Sequence, residues 1–286
     1  MNTVKRKKIT VKDIICKKKN NELVVAIAAY DAPLAAIADE IGFDFLINGN
    51  AGPMSLLGHP TPLTVSFQEQ LILTQAVSRV AKYGMIVSHM PYMTYNISKN
   101  EAIINAGRMI SEGGADCVKC EGNRYTAENV HAIIQAGIPV VGHMGMQASR
   151  KLEQSGYGTK GKTAVEAAKI VDDARSFYEA GVFAIILEYV PFEITEYLSQ
   201  TLPIPIVSVS AGKSPDGIYI GTGDAIGYSA FPKPTHAKNF VNVRDEIRRG
   251  LEAYKNAVLS KEYPGEEFTQ HMTSQKYERF LDIVKQ

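Results

Sequence analysis

The chain has 286 residues, enough for one large domain with a sizeable buried core, and 45% of them are hydrophobic. Its 31 Lys+Arg against 30 Asp+Glu leave a formal net charge of +1, which gives no reason to expect nucleic acid or an anionic membrane surface as partner. No run of about 18 apolar residues occurs and no signal-peptide core stands at the N-terminus, so the expectation is a cytoplasmic protein without membrane contact.

The basic cluster Lys5-Arg6-Lys7-Lys8 reads as a solvated, frayed end. Residues 10–20 predict a short helix with Thr10 as N-cap, and a strand follows at Leu23. That first apolar run, VVAIAAYD, ends on Tyr30 and Asp31. A helix over 32–41 leads to FLINGN, with Asn48 and Asn50, then to a long loop over 49–65. A helix over 67–82 precedes MIVSH, which ends on His89; one over 98–113 precedes DCVKCE, with Lys119 and Glu121. The three cysteines, Cys16, Cys117 and Cys120, form no disulfide framework. Cys117 and Cys120 make a C-x-x-C, but strand alternation sends them to opposite faces, so a metal or redox role is not expected.

A helix over 127–136 leads to VVGH and His143, followed by a second long loop over 145–163. Helices over 164–180 and 192–200 bracket AIILE, which ends on Glu188. IVSVS (Ser208, Ser210) and AIGYS (Tyr228, Ser229) supply the seventh and eighth runs. Several helices finish at a glycine suited to a helix end: Gly42, Gly84, Gly113, Gly137 and Gly181. Beyond Asn242 the pattern is an amphipathic helix, suited to packing or oligomer contact.

Eight continuous apolar runs alternating with helices predict an α/β fold, a (β/α)8 TIM barrel. It would span 1–286 as a single domain, with a short N-terminal helix and a C-terminal helical segment. Such a barrel carries its site where the strands end, so the polar endings would converge on one mouth, with both long loops as lids or binding loops.

Glu121 and Glu188 each end a strand, and a carboxylate in a partly dry pocket can take a proton from carbon at neutral pH. The bland alternative is an ion pair with Lys119. Lys119 shares a face with Glu121 and suits a substrate carboxylate or an enolate oxygen, while His89 and His143 are ligands or packing residues. The turns Gly49-Asn50-Ala51-Gly52 and Ser208-Val209-Ser210-Ala211-Gly212 would either offer N–H groups to an anion or serve as tight connections.

In unbroken order the segments AAYDAPLAAIADEIG, GNAGPMSLLGH, PLTV, HMPYMTY, VKCEG, AGIPVVGHMG, EAGVFAIILEYVP, IPIVSVSAGKSPDG, HAKNF and YPGEE resemble ketopantoate hydroxymethyltransferases, from about residue 10 to 272. The resemblance implies a barrel of the phosphoenolpyruvate mutase/isocitrate lyase type, a homo-oligomer that is commonly a decamer, and a place in pantothenate biosynthesis. It implies a reaction in which a branched 2-oxo acid, 2-oxoisovalerate, is deprotonated and its enolate takes the one-carbon unit of 5,10-methylenetetrahydrofolate, with Mg²⁺ polarising the keto acid. Glu188 matches the base, Lys119 and His143 match substrate contacts, and Glu121 matches a carboxylate of the metal's hydrated shell.

The chain departs from the pattern where that metal binds. Asn50 and Ala51 stand for the Asp and Ser of G-D-S, and His89 stands for the Asp of D-x-P-F. The serine that helps hold the keto-acid carboxylate in the family is therefore Ala51. Asn50, His89 and Glu121 suit a transition metal better than Mg²⁺, or no metal at all, and a protonated His89 beside Lys119 would be a substitute electrophile. The expected activity is ketopantoate synthesis or a close variant; the alternatives are another carbon–carbon lyase or transferase acting on a different keto acid, and a catalytically silent paralogue that binds ligand.

Overall fold

The computed structural model describes residues 6–214, 216–229, 231 and 237–285. Lys5, Pro215 and His236, which fall in segments singled out above, lie outside the described residues. Two compact units are present, residues 1–240 and 241–286.

In the first unit, α1 (Val11–Lys19) precedes eight strands: β1 (Val24–Ala28), β2 (Phe45–Asn48), β3 (Met85–His89), β4 (Cys117–Glu121), β5 (Val140–Gly145), β6 (Ala184–Glu188), β7 (Ile206–Val209) and β8 (Gly217–Ile220). Each pairs in parallel with its sequence neighbour and β8 closes on β1, giving the expected eight-stranded barrel. The helices between them are α2 (Ala32–Ile41), α3 (Ala51–Leu57), α4 (Phe67–Ser78), α5 (Lys99–Ser111), α6 (Ala127–Gln135), α7 (Ala164–Ala180) and α8 (Phe192–Thr201), and α9 (Thr222–Ile226) follows β8.

Alternation sorts the strand residues into two cores. Phe45, Ile47, Met85, Val87, Cys117, Val141, Ile186 and Val207 fill the barrel interior, and Ile14 of α1 packs among them. Val118, Cys120, Val140, Ile185 and Leu187 face outward to the helices. Cys117 and Cys120 thus lie on opposite faces, and burial pushes the Cys120 thiol up to about 12, leaving both unreactive.

The bottom of the barrel is closed by charge as well as hydrocarbon. Asp44, Asp116 and Asp216 each precede a strand and accept a neighbouring backbone N–H, from Val25, Ile86 and Ile206 respectively. Each also pairs with a lysine of the N-terminal segment: Asp44 with Lys17, Asp116 with Lys8, and Asp216 with Lys18. The basic cluster is therefore not frayed over its described part. Arg6 donates to the last-turn carbonyls of Asp39 and Glu40 in α2, where the helix dipole favours a cation, and its guanidinium stacks on Tyr83.

Three further expectations are corrected. The eighth strand is Gly217–Ile220, not the AIGYS run, whose Ala225 and Ile226 belong to α9. GIYI is the run placed in register with β1, pairing Val24 with Gly217 through Ile27 with Ile220. The loop over 49–65 contains α3 and a turn of 3₁₀ helix (Pro62–Thr64), pinned by His59 to Thr64 and Glu69. Among the proposed helix-end glycines, Gly42, Gly137 and Gly181 have positive φ, whereas the left-handed residue after α5 is Gly114 rather than Gly113, and Gly84 simply precedes β3.

The second unit holds α10 (Val243–Leu259) and α11 (Ser274–Val284), neither of which buries a residue. Among the described residues no helix is long and apolar enough to cross a membrane.

Candidate active site

The inner face that is apolar at the bottom becomes polar where the strands end. Side chains two residues apart on a strand share a face, so the run Cys117, Lys119, Glu121 passes from core to mouth. Parallel register sets His89 of β3 opposite Lys119, and Glu121 opposite His143 of β5. The structure therefore gathers His89, Lys119, Glu121 and His143 in the barrel interior, all nearly inaccessible to solvent.

Lys119 Nζ lies 2.8 Å from His143 Nδ1, and the far ring nitrogen, Nε2, lies 2.9 Å from Glu188 Oε2 without hydrogen-bond alignment. An ammonium can only donate, so Nδ1 accepts and the single ring proton of a neutral His143 sits on Nε2, toward Glu188. Burial, reinforced by the Lys119 charge, pulls His143 down to about 3, so the ring is neutral at physiological pH. Burial also lowers Lys119, while Glu121 and Glu188 oppose that shift. Glu188 is the most open member, its side chain 19% exposed at the tip of β6.

Glu121 is held from both sides. Its Oε1 accepts from Asn50 Nδ2 at 2.5 Å and lies 3.8 Å from Lys119 Nζ; its Oε2 accepts from the Ser149 N–H at 3.0 Å. His89 is buried with its Nδ1 unpartnered, and burial together with Lys119 and His143 pulls it well below the usual histidine range. A protonated His89 is thus corrected: the ring is neutral, because a second cation beside buried Lys119 has no compensating carboxylate of its own. Ala51 opens α3 at an exposed position and contributes only backbone, having no hydroxyl.

Other polar strand endings serve the scaffold. Asn48 points outward to Thr74 and Gln70 of α4, and Asp31 caps α2 through the Leu34 N–H. In the turn after β7, Ser208 Oγ donates to the Gly212 carbonyl and accepts from the Ala211 N–H, so that N–H is not open to an anion. Tyr228 and Ser229 follow α9 and end no strand; the Tyr228 N–H donates to the Gly223 carbonyl.

Four residues of this mouth escaped the sequence reading. Tyr95 donates to the Glu121 carbonyl at 2.6 Å, Ser149 supplies the N–H on Glu121, and Gln147 donates to the Gly122 carbonyl. Tyr219 is an inner residue of β8, and burial followed by the Glu188 charge raises its phenol well above the usual range. Only Tyr219 had a signal, the alternation of GIYI. A cavity of about 320 Å³ opens beside Glu121, lined by Tyr92, Tyr95, Tyr125, Ser149 and Arg150 among others.

The left-handed backbone at Tyr189, with φ 51°, follows Glu188 directly, and such strain in a bulky residue is typical of functional sites. Gly145 at φ 88° is required there: a Cβ would lie 2.2 Å from the Glu188 carbonyl oxygen.

Comparison with known proteins gives one family. The ketopantoate hydroxymethyltransferase family profile matches residues 8–266. A Nitrosopumilus maritimus protein named 3-methyl-2-oxobutanoate hydroxymethyltransferase is 37% identical over 258 residues, covering 90% of this chain and 92% of the relative. A Hyperthermus butylicus protein of the same name is 34% identical over 281 residues, covering 98% and 97%. Among solved structures, phosphonopyruvate hydrolase in complex with oxalate and Mg²⁺ superposes with a TM-score of 0.60 at 12% identity, covering 97% of this chain and 99% of that one. The 2,3-dimethylmalate lyase, a PEP mutase/isocitrate lyase superfamily member, gives 0.54 at 15% identity, covering 96% and 95%. At these identities the structures establish the shared fold.

The divalent ion that the resemblance to the family implies would draw on Asn50, His89 and Glu121. These residues do not fit Mg²⁺. The ion takes hard oxygen ligands in octahedral geometry, usually with one or two carboxylates. The set offers one carboxylate, with a donor on each oxygen and an ammonium 3.8 Å away; an amide that turns its N–H₂ to that carboxylate; and an imidazole nitrogen. Among the described residues no three His, Cys, Asp or Glu side chains are grouped to hold a metal.

Proposed function

The chain belongs to the ketopantoate hydroxymethyltransferase family, and we propose that it is an enzyme that transfers a hydroxymethyl group to a branched 2-oxo acid, 2-oxoisovalerate, from 5,10-methylenetetrahydrofolate. The observation that carries this reading is the line Lys119–His143–Glu188 across three adjacent strands, which ends in a solvent-accessible carboxylate.

Glu188 acts as the base. It takes the proton from C3 of the keto acid; the electron pair of that bond becomes the C2–C3 double bond and the keto oxygen takes the charge. His143, neutral with its proton toward Glu188, orients the carboxylate. Lys119 and His143 hold the keto acid, with the Asn50-Ala51 turn bordering it. Water first releases the one-carbon unit as formaldehyde, its oxygen becoming the carbonyl oxygen and its two protons going to the two folate nitrogens as tetrahydrofolate departs. C3 then bonds to the formaldehyde carbon, and the proton held by Glu188 moves to the new alkoxide. The tyrosine-lined cavity beside Glu121 offers a surface on which a planar pteridine can stack. The product lies on the route to pantothenate. A cytoplasmic homo-oligomer belongs to the same reading, supported by the family and by three free cysteines.

Glu188→Gln keeps the shape and removes the base. Solvent-deuterium exchange at C3 of 2-oxoisovalerate, followed by NMR, should fall by about 10²–10⁴-fold, with the melting temperature held. Exchange at the wild-type rate would overturn the role of Glu188.

A further inference from the structure

We propose that this chain stabilises its enolate without a divalent cation, the Lys119 ammonium acting as the electrophile; the proposal rests on the reaction proposed above. The two positions where the family pattern supplies anions carry Asn50 and His89, neither of which can supply one. The Asn50 amide donates to Glu121 Oε1 at 2.5 Å; the reverse orientation would set two acceptor oxygens against each other at that distance. With the Ser149 N–H on Oε2, both oxygens of the single remaining carboxylate carry a donor from the protein. Glu121 is thereby made a counter-ion for Lys119, 3.8 Å away, and not an anion awaiting a metal.

The same geometry supplies what the ion would have supplied. Lys119 has three N–H donors; one goes to His143 Nδ1 and one side faces Glu121, which leaves a donor for a keto oxygen in the barrel mouth. An ammonium fixed in a dry pocket before the reaction stabilises charge as it develops on that oxygen. His89 stands beside it in register with Nδ1 buried and unpartnered, a second polar atom turned to no protein group. An orphaned buried nitrogen is costly unless a ligand satisfies it. Asn50 Oδ1 is orphaned in the same way. The ammonium and the His89 ring, in the tautomer that carries its proton on Nδ1, are donors that suit the acceptor oxygens of a small keto acid, held by hydrogen bonds where the family pattern would hold it by an ion. The Asn50 oxygen, an acceptor, is left for a hydroxyl.

The test uses the full-length protein. Elemental analysis as purified should show no stoichiometric metal, and calorimetric titration of MgCl₂ into chelator-treated protein should show no binding at millimolar ion. The Asn50→Asp/His89→Asp double variant, titrated alongside, should acquire binding. C3 exchange of 2-oxoisovalerate should proceed equally with EDTA, Mg²⁺, Mn²⁺ or Zn²⁺, and should fall about 10²–10³-fold in Lys119→Met. A stoichiometric metal, tight Mg²⁺ binding by the wild type, or exchange that needs an added ion would overturn this proposal and leave the reaction standing. Absence of exchange under every condition would overturn the reaction and this proposal with it.

Discussion

The two ends of the barrel are made from the same strands and answer to different demands. At the bottom, Phe45, Val87, Cys117 and Ile186 pack without a polar gap, and Asp44, Asp116 and Asp216 each have both a lysine and a backbone N–H. Two residues further along β3 and β4, the same face holds His89 and Lys119, and buried polar atoms go unpartnered: Asn50 Oδ1, His89 Nδ1, Gln147 Oε1 and Ser149 Oγ. Satisfied polar groups stabilise a fold, whereas unsatisfied ones cost stability and wait for a ligand. Stability is therefore concentrated at one end and binding at the other.

The sharpest way to break that division is to damage the bottom. Phe45 is fully buried, edge-on to Phe183 with centroids 6.2 Å apart. Phe45→Ala should cost about 3–5 kcal/mol by denaturant unfolding. Turnover per folded molecule should hold. A variant that kept its stability but lost activity would show that the two ends are not separable.

Acid acts on the mouth instead. His143 is held at about 3 and His89 well below its usual range, so both stay neutral in the folded protein while the unfolded chain protonates them below about pH 6.5. The unfolded state then binds more protons, and stability must fall as pH drops from 6.5 toward 3. From pH 6.5 to 5 the loss should be about 2 kcal/mol for each histidine. His89→Asn should flatten the slope by one proton; an unchanged slope would mean His89 is not buried as a neutral ring.

How far this division was legible follows from how each half is encoded. Lys119, Glu121, His143 and Glu188 sit at fixed parity from apolar neighbours, so alternation alone puts them inside and at the exit. The β8 run failed because GIYI has only four residues among glycines and a following helix, and AIGYS looked equally apolar; Tyr219 was lost with it. Tyr95 reaches Glu121 from a loop, at the carbonyl, and Ser149 from a turn of 3₁₀ helix (Ala148–Arg150), through its backbone N–H, and no spacing in the sequence records such contacts. The neutral state of His89 is likewise a property of what surrounds it, not of its position in MIVSH.

Gly145→Ala tests whether the mouth tolerates any backbone shift. The new methyl would meet the Glu188 carbonyl oxygen and Val190, at a left-handed residue. A stability loss of about 1–3 kcal/mol is expected. The exchange rate should fall as well, because the atoms displaced belong to the residue carrying the base. Lost stability with normal exchange would show that Glu188 is positioned by its side-chain neighbours alone.

The smallest effect belongs to the cap of α1. Thr10 accepts from the Asp13 N–H while the Asp13 carboxylate accepts from the Thr10 N–H and hydroxyl, which holds that carboxyl below its usual range. The box sits at the surface, yet it starts the helix that drives Ile14 into the barrel interior and carries Lys17 and Lys18 to Asp44 and Asp216. Thr10→Ala should cost about 1 kcal/mol by denaturant unfolding, the usual value of an N-cap, if the rest of α1 stays docked. A loss several times larger would mean that the cap is coupled to the lysine–aspartate pairs, and that the bottom of the barrel unfolds as one unit with its helix. Either result should leave C3 exchange by the folded protein untouched, since nothing in α1 reaches the mouth.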